Sequence, residues 1–98
     1  MDEAKALMKE TEGYILLDVR TKEEYESGYI PGAINIPLSD INGNVVSSLP
    51  DKSQMILVYC RSGNRSRQAS DKLSRLGYTN IIEIGGINSW KGEIIKID

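Results

Sequence analysis

The stretch Cys60-Arg61-Ser62-Gly63-Asn64-Arg65-Ser66 places the chain's single cysteine at the head of a loop with two arginines, two serines and a glycine. Cysteine acts as a nucleophile through its thiolate, which needs positive potential around it. A loop leading from an apolar strand into a helix supplies that potential in three ways. Backbone N–H groups of residues 61–66 can turn into one concave nest, the helix beginning near Ser66 adds its positive dipole end, and Arg61 and Arg65 add formal charge. Gly63 permits the reversal of the backbone. The sequence contains no histidine, so Ser-His-Asp and Cys-His catalysis are excluded, as is any zinc site built on imidazole. A nucleophile here must be activated by dipoles and charges. Cys60 is therefore expected to titrate below a free cysteine, provided that the loop outweighs burial at the strand end. A lone cysteine after an apolar strand is more often an inert small hydrophobe; it is the loop that turns the reading toward chemistry.

Other residues carry weaker signals. Asp18 and Arg20 leave an earlier apolar run, and charges there commonly pair or cap. A supporting role is expected for both, with Arg20 in reach of Glu24. Gly85-Gly86 reads as a tight turn, since no dinucleotide or phosphate-loop pattern surrounds it. Trp90 and the tyrosines read as core or rim, and Arg67 and Arg75 as the solvated face of a helix.

The elements that must position these residues follow from the apolar pattern. Asp2 to Glu10 predicts a helix ended by Gly13, and Tyr14-Ile15-Leu16-Leu17 a strand buried on both faces. Thr21 and Glu24 have capping-box spacing for a short helix broken by Gly28 and Pro31-Gly32. Ala33 to Ile36 predicts a brief strand. Residues 38–49 are weakly patterned, with a turn at Asn42-Gly43-Asn44. Met55 to Tyr59 is the clearest strand, and Ser66 to Leu76 a helix with Ala69, Leu73 and Leu76 on one face, closed by Gly77. Ile81 to Ile84 predicts another strand, Ile87 to Lys91 a short helix, and the alternating tail from Glu93 to Asp98 an edge strand or packed segment. Strands alternating with helices imply an α/β domain with a mainly parallel sheet. Ligands bind such sheets beyond the carboxyl ends of the strands, where both Asp18-Val19-Arg20 and Cys60 fall.

Composition sets further bounds. A length of 98 residues suits one domain, 1–98. A net charge of −2 argues against a broad phosphate-neutralising surface, so no nucleic-acid partner is expected. No apolar run approaches the ~20 residues that span a bilayer, so no membrane partner is expected either. The acidic start Met1-Asp2-Glu3-Ala4-Lys5 lacks an apolar signal region, and a lone cysteine forms no internal disulfide; the cytoplasm is the expected compartment.

Three ordered stretches resemble rhodanese-like domains. Leu17-Asp18-Val19-Arg20, Glu24-Tyr25 and Gly28-Tyr29-Ile30-Pro31-Gly32-Ala33-Ile34-Asn35-Ile36-Pro37 are similar to the family's first signature. Val58-Tyr59-Cys60-Arg61-Ser62-Gly63-Asn64-Arg65-Ser66 resembles its active-site loop, and Leu73 to Tyr78 with Gly85-Gly86-Ile87 through Trp90 its closing elements. The resemblance implies a three-layer α/β domain with about four to five strands flanked by helices. It implies a sulfurtransferase in which Cys60 carries sulfur as a persulfide and Arg61, Ser62, Gly63, Asn64, Arg65 and Ser66 cradle it. The donor would be a small sulfur-containing anion such as thiosulfate, and the acceptor cyanide, a thiol or a sulfur-relay protein. No metal or organic cofactor is implied. Two positions depart from the family: Tyr29 stands where histidine is common, and the chain opens at the first helix without the usual strand before it, so the sheet lacks one strand or the sequence is trimmed. A non-catalytic relay or binding module remains the main alternative. Cysteine phosphatase or arsenate reductase chemistry calls for Cys-x5-Arg, whereas Cys60 and Arg65 are separated by four residues, leaving too short a loop for a tetrahedral oxyanion.

Overall fold

In the computed structural model, which describes residues 2–96, the apolar run before Cys60 forms the centre of the protein. β3 (Ile56–Cys60) lies between β1 (Ile15–Asp18) and β4 (Ile81–Gly86), and β2 (Ile34–Asn35) flanks β1 on its other side. The order is β2-β1-β3-β4, and every pairing is parallel. All five residues of β3 are buried. A strand with neighbours on both edges and cover on both faces has no solvated side, so its sequence shows no alternation. Among the described residues the sheet has four strands, at the lower end of the expected range.

Alternation along the strands decides which layer each side chain enters. Ile56, Val58 and Cys60 join one core with Leu17, Val19, Ala69, Leu73 and Tyr78. Leu57 and Tyr59 join the other with Leu16, Ile30 and Ala33. The helix α3 (Asn64–Arg75) covers the first face through Ala69 and Leu73. On the second face, α1 (Asp2–Glu10) contributes Leu7 and Met8, and α2 (Lys22–Ser27) contributes Tyr25. Helices on both faces of a parallel sheet make the expected three layers. Each fully buried Leu, Ile or Val stabilises the fold by about 1.5–3 kcal/mol relative to exposure. The same parity places Cys60 on the face under α3.

The helix starts agree with the sequence at one position and differ at another. Thr21 and Glu24 form the full capping box, with the Thr21 hydroxyl accepting from Glu24 N at 3.2 Å and Glu24 Oε1 accepting from Thr21 N at 3.1 Å. The helix α3, expected from Ser66, begins at Asn64 with Gly63 as its N-cap. Asn64 and Arg65 look like loop by composition, yet they occupy the first helical turn, where N–H groups have no intrahelical partner in any case. Gly85 and Gly86, expected to turn, are instead the last residues of β4, pairing with Tyr59 and Cys60 after a register shift. Parallel pairing with the centre of the sheet carries the strand through both glycines. A 3₁₀ turn, Ile87–Ser89, follows in place of the longer helix, and two more, Leu38–Asp40 and Gly43–Ser47, occupy the weakly patterned region. In the tail, Ile95 makes an isolated antiparallel bridge with Tyr29 rather than a strand; Ile97 and Asp98 lie outside the described residues. No helix among the described residues is long and apolar enough to cross a membrane.

Candidate functional site

Cys60 ends β3, and its Sγ faces the N-terminus of α3. The Gly63 N–H donates to Sγ at 3.0 Å, and Ser66 Oγ lies 3.5 Å from it. The residue is only 1% exposed. Burial is the largest single influence on its thiol and pushes the pKa up. The N–H groups of Ser66, Gly63 and Ser62, with the Ser66 hydroxyl when it turns to donate to the thiolate, together outweigh it, so the net shift is downward. The direction is the expected one, but backbone amides and a serine lead it rather than the arginines.

Two glycines make the cradle. Gly63 has φ +102°, a left-handed conformation that an L side chain seldom adopts. It turns the chain sharply enough for its own N–H to point back at the sulfur. Gly86 lies against the loop backbone; a Cβ there would sit 2.5 Å from Ser62 Cα and overlap the Arg61 carbonyl oxygen. Close approach of β4 to the loop thus requires glycine, which accounts for Gly86 beside Cys60 in the strand register.

The two loop arginines have different settings. Arg65 is half-buried and grips Glu24 in a two-point ion pair at 2.6 and 2.9 Å. The Arg65 hydrogen bond is the largest influence on Glu24, whose carboxyl is held down at about 2 from an ordinary 4.5. Arg61 is exposed and, among the described residues, has no ion-pair partner. Ser62 and Asn64 are exposed at the same mouth, while Gly63 and Ser66 are buried.

Arg20 does not reach Glu24 as expected. It folds back on Asp18 with an Nη2–Oδ2 distance of 2.7 Å, and the same Nη2 donates to the Gly28 carbonyl at 2.6 Å. Both side chains are buried, and two residues leaving one strand end are the shortest available partners. Burial alone would lower the Arg20 pKa, but hydrogen bonding and charge from Asp18 raise it on balance. Glu24 pairs with Arg65 instead. Asn35 fastens the same strand end by donating to the carbonyls of Asp18 and Arg20, at 3.0 Å each. Tyr29 stacks on Tyr25 with ring centroids 4.2 Å apart, a packing role. Arg67 and Arg75 are exposed, and Arg75 pairs along the helix with Asp71.

Two carboxylates of this site are not evident from the sequence. The spacing of Glu24 shows a cap and a candidate partner for Arg20, not its ion pair with Arg65. Glu83 looks like one more strand residue, yet its Oε2 accepts from Ser66 Oγ at 2.7 Å. A signal for it exists: it is a charged residue on the inward parity of a strand whose neighbours are isoleucines.

The family model for the rhodanese-like domain matches residues 1–93. The chain is 41% identical over 71 residues to thiosulfate sulfurtransferase PspE of Escherichia coli, covering 72% of this chain and 68% of that protein. It is 39% identical over 89 residues to the adenylyltransferase and sulfurtransferase UBA4 of Meyerozyma guilliermondii, covering 83% of this chain but only 21% of that protein. A solved structure described as rhodanese with anions from E. coli superposes with a TM-score of 0.78 at 36% identity, covering 85% of this chain and 98% of that one.

Proposed function

The chain belongs to the rhodanese-like domain family, and on that premise we propose that it transfers sulfane sulfur through a persulfide on Cys60. The observation that carries this reading is the sulfur at the end of β3 held by the Gly63 amide and Ser66, with its pKa drawn down despite burial. In the first step the Cys60 thiolate attacks the outer sulfur of thiosulfate. The donor's S–S bond breaks, sulfite leaves with the bonding pair, and a new S–S bond leaves a persulfide anion on Cys60. In the second, an acceptor such as cyanide or a thiolate attacks the outer sulfur, and the Cys60 thiolate leaves unchanged. The amides of the nest stabilise the negative charge as it moves between sulfurs, and preorganised donors of this kind usually supply the largest share of catalysis. Arg61 stands at the mouth as the cation for an anionic donor, whereas Arg65 must share its charge with Glu24. Ser62 and Asn64 contribute their loop backbone to the cradle. Asp18 and Arg20 support the strand end. No second cysteine is present, so sulfur leaves only to an external acceptor. The cytoplasm is the compartment this chemistry suits, because external thiols there stay reduced.

A second reading, delivery to a protein acceptor, is favoured by the match to a fifth of a larger adenylyltransferase and sulfurtransferase. Steady-state turnover with thiosulfate and cyanide tests the first. Thiocyanate should form with the wild type and vanish in Cys60→Ser. Slow loading from thiosulfate with fast loading from a persulfidated donor protein would favour the relay instead, and hydrolysis of an aryl phosphate at an enzymatic rate would contradict both.

A further inference from the structure

Glu83 is the one charged residue of β4. Strand alternation puts it on the face of Ile81, toward α3 and Cys60, where an apolar residue would ordinarily pack. Its Oε2 accepts from the Ser66 hydroxyl at 2.7 Å and also from the Gly85 amide. Ser66 Oγ in turn lies 3.0 Å from the Gly63 carbonyl, 3.4 Å from the Gly85 carbonyl and 3.5 Å from Cys60 Sγ. A hydroxyl has one proton to give and two lone pairs to offer. Of the four acceptors around it, the carboxylate is the nearest and forms a charge-assisted bond, the stronger kind. With its proton directed at Glu83, Ser66 presents lone pairs to the sulfur, an arrangement that suits a thiol and not a thiolate. To donate to a thiolate the hydroxyl must rotate away and give up its bond to Glu83.

We propose that Glu83 is a positioning residue for Cys60: by holding the Ser66 proton it sets how readily the sulfur ionises. This rests on the reading of Cys60 as the reacting nucleophile. The other charges around the sulfur are Arg65 of α3, tied to Glu24 of α2, Arg61 at the loop mouth, and the Asp18–Arg20 pair at the end of β1. Among the described residues, Glu83 is the only charged side chain hydrogen-bonded to Ser66. It is half-buried on the edge strand β4, so a neutral replacement of the same shape opens no closed cavity.

The test is the pH midpoint of Cys60 alkylation by a neutral reagent in the wild type, Glu83→Gln, Ser66→Ala and the double variant. Glutamine retains an acceptor for Gly85, and in either amide orientation it loosens the hold on the Ser66 proton. Glu83→Gln should lower the midpoint by about half a pH unit or more, Ser66→Ala should raise it, and adding Glu83→Gln to Ser66→Ala should produce less than half the shift seen in the wild type. Should Glu83→Gln fold poorly, Glu83→Asp, which keeps the charge but shortens its reach, should lower the midpoint in the same direction. An unchanged or raised midpoint in a folded Glu83→Gln overturns the proposal. An equal shift in both backgrounds overturns it too, since the carboxylate would then act through space and not through Ser66. Mass analysis of sulfur loading on the wild type separates the two claims: a protein that never takes up sulfur refutes the transfer reading, while the midpoints still decide the role of Glu83.

Discussion

Replacing Arg20 by methionine removes the partner of a carboxylate with no solvent exposure. Asp18 accepts from Arg20 N at 2.9 Å, from Nε at 3.1 and 3.0 Å, and from Nη2 at 2.7 Å. Methionine keeps only the first of these, and the Gly28 carbonyl loses its donor at 2.6 Å as well. Stranding one charge of a buried pair costs about 3–5 kcal/mol, a large share of the about 5–15 kcal/mol that holds a domain folded. Replacing both partners, Asp18→Leu with Arg20→Met, removes the stranded charge and should recover most of the loss. Urea unfolding at neutral pH of the wild type, the two single variants and the double variant closes the cycle. Both single variants should unfold well below the wild type, and the double variant between them and it. Added salt should change little, because a buried pair is weakly screened. An Arg20→Met variant that unfolds at the wild-type urea concentration would refute this role for the pair. So would a variant that folds fully but whose Cys60 stops reacting, since the pair would then belong to the chemistry and not to its support.

Three further outcomes follow from the geometry. Because the Glu24 carboxyl is depressed to about 2, the stability it contributes is fully present above its unfolded value near 4.5 and is lost as pH falls toward 2. Glu24→Gln should flatten acid unfolding in that window by about 1 kcal/mol after solvent screening, read by circular dichroism. Leu73→Ala should cost about 2–5 kcal/mol, as expected for a fully buried leucine on α3, whereas Trp90→Ala, half-buried against the second core, should cost less by the same urea assay. Gly86→Ala, whose new methyl collides with the Arg61–Ser62 backbone, should displace the cradle and slow Cys60 alkylation about tenfold or more at neutral pH, while a variant that reacts like the wild type would show the contact to be dispensable.

Much of the fold is legible in the sequence because its signals are local. The run from Ile56 to Tyr59 has the length and side chains of a buried strand, the Thr21–Glu24 spacing is that of a helix start, and Cys60 at that strand's end marks the place proposed for the chemistry. What is not legible depends on partners distant in sequence or on burial. Glu24 is in reach of Arg20 in the sequence, but the pairing is decided by which carboxylate is buried beside the guanidinium, and that is Asp18. Arg65 looks like a free charge beside the sulfur because its partner lies 41 residues away. Gly85-Gly86 has the composition of a turn; only the register against Tyr59 and Cys60 reveals a strand end pressed on a loop. The meaning of Glu83 appears only once strand parity and the Ser66 hydroxyl are seen together.

Sulfur transfer through Cys60 is tested most directly by the intact mass of the purified protein after exposure to thiosulfate, before and after a reducing thiol. One added sulfur atom is predicted on the wild type, none on Cys60→Ser, and complete removal by the thiol. An unchanged wild-type mass, or the same gain on Cys60→Ser, would contradict it.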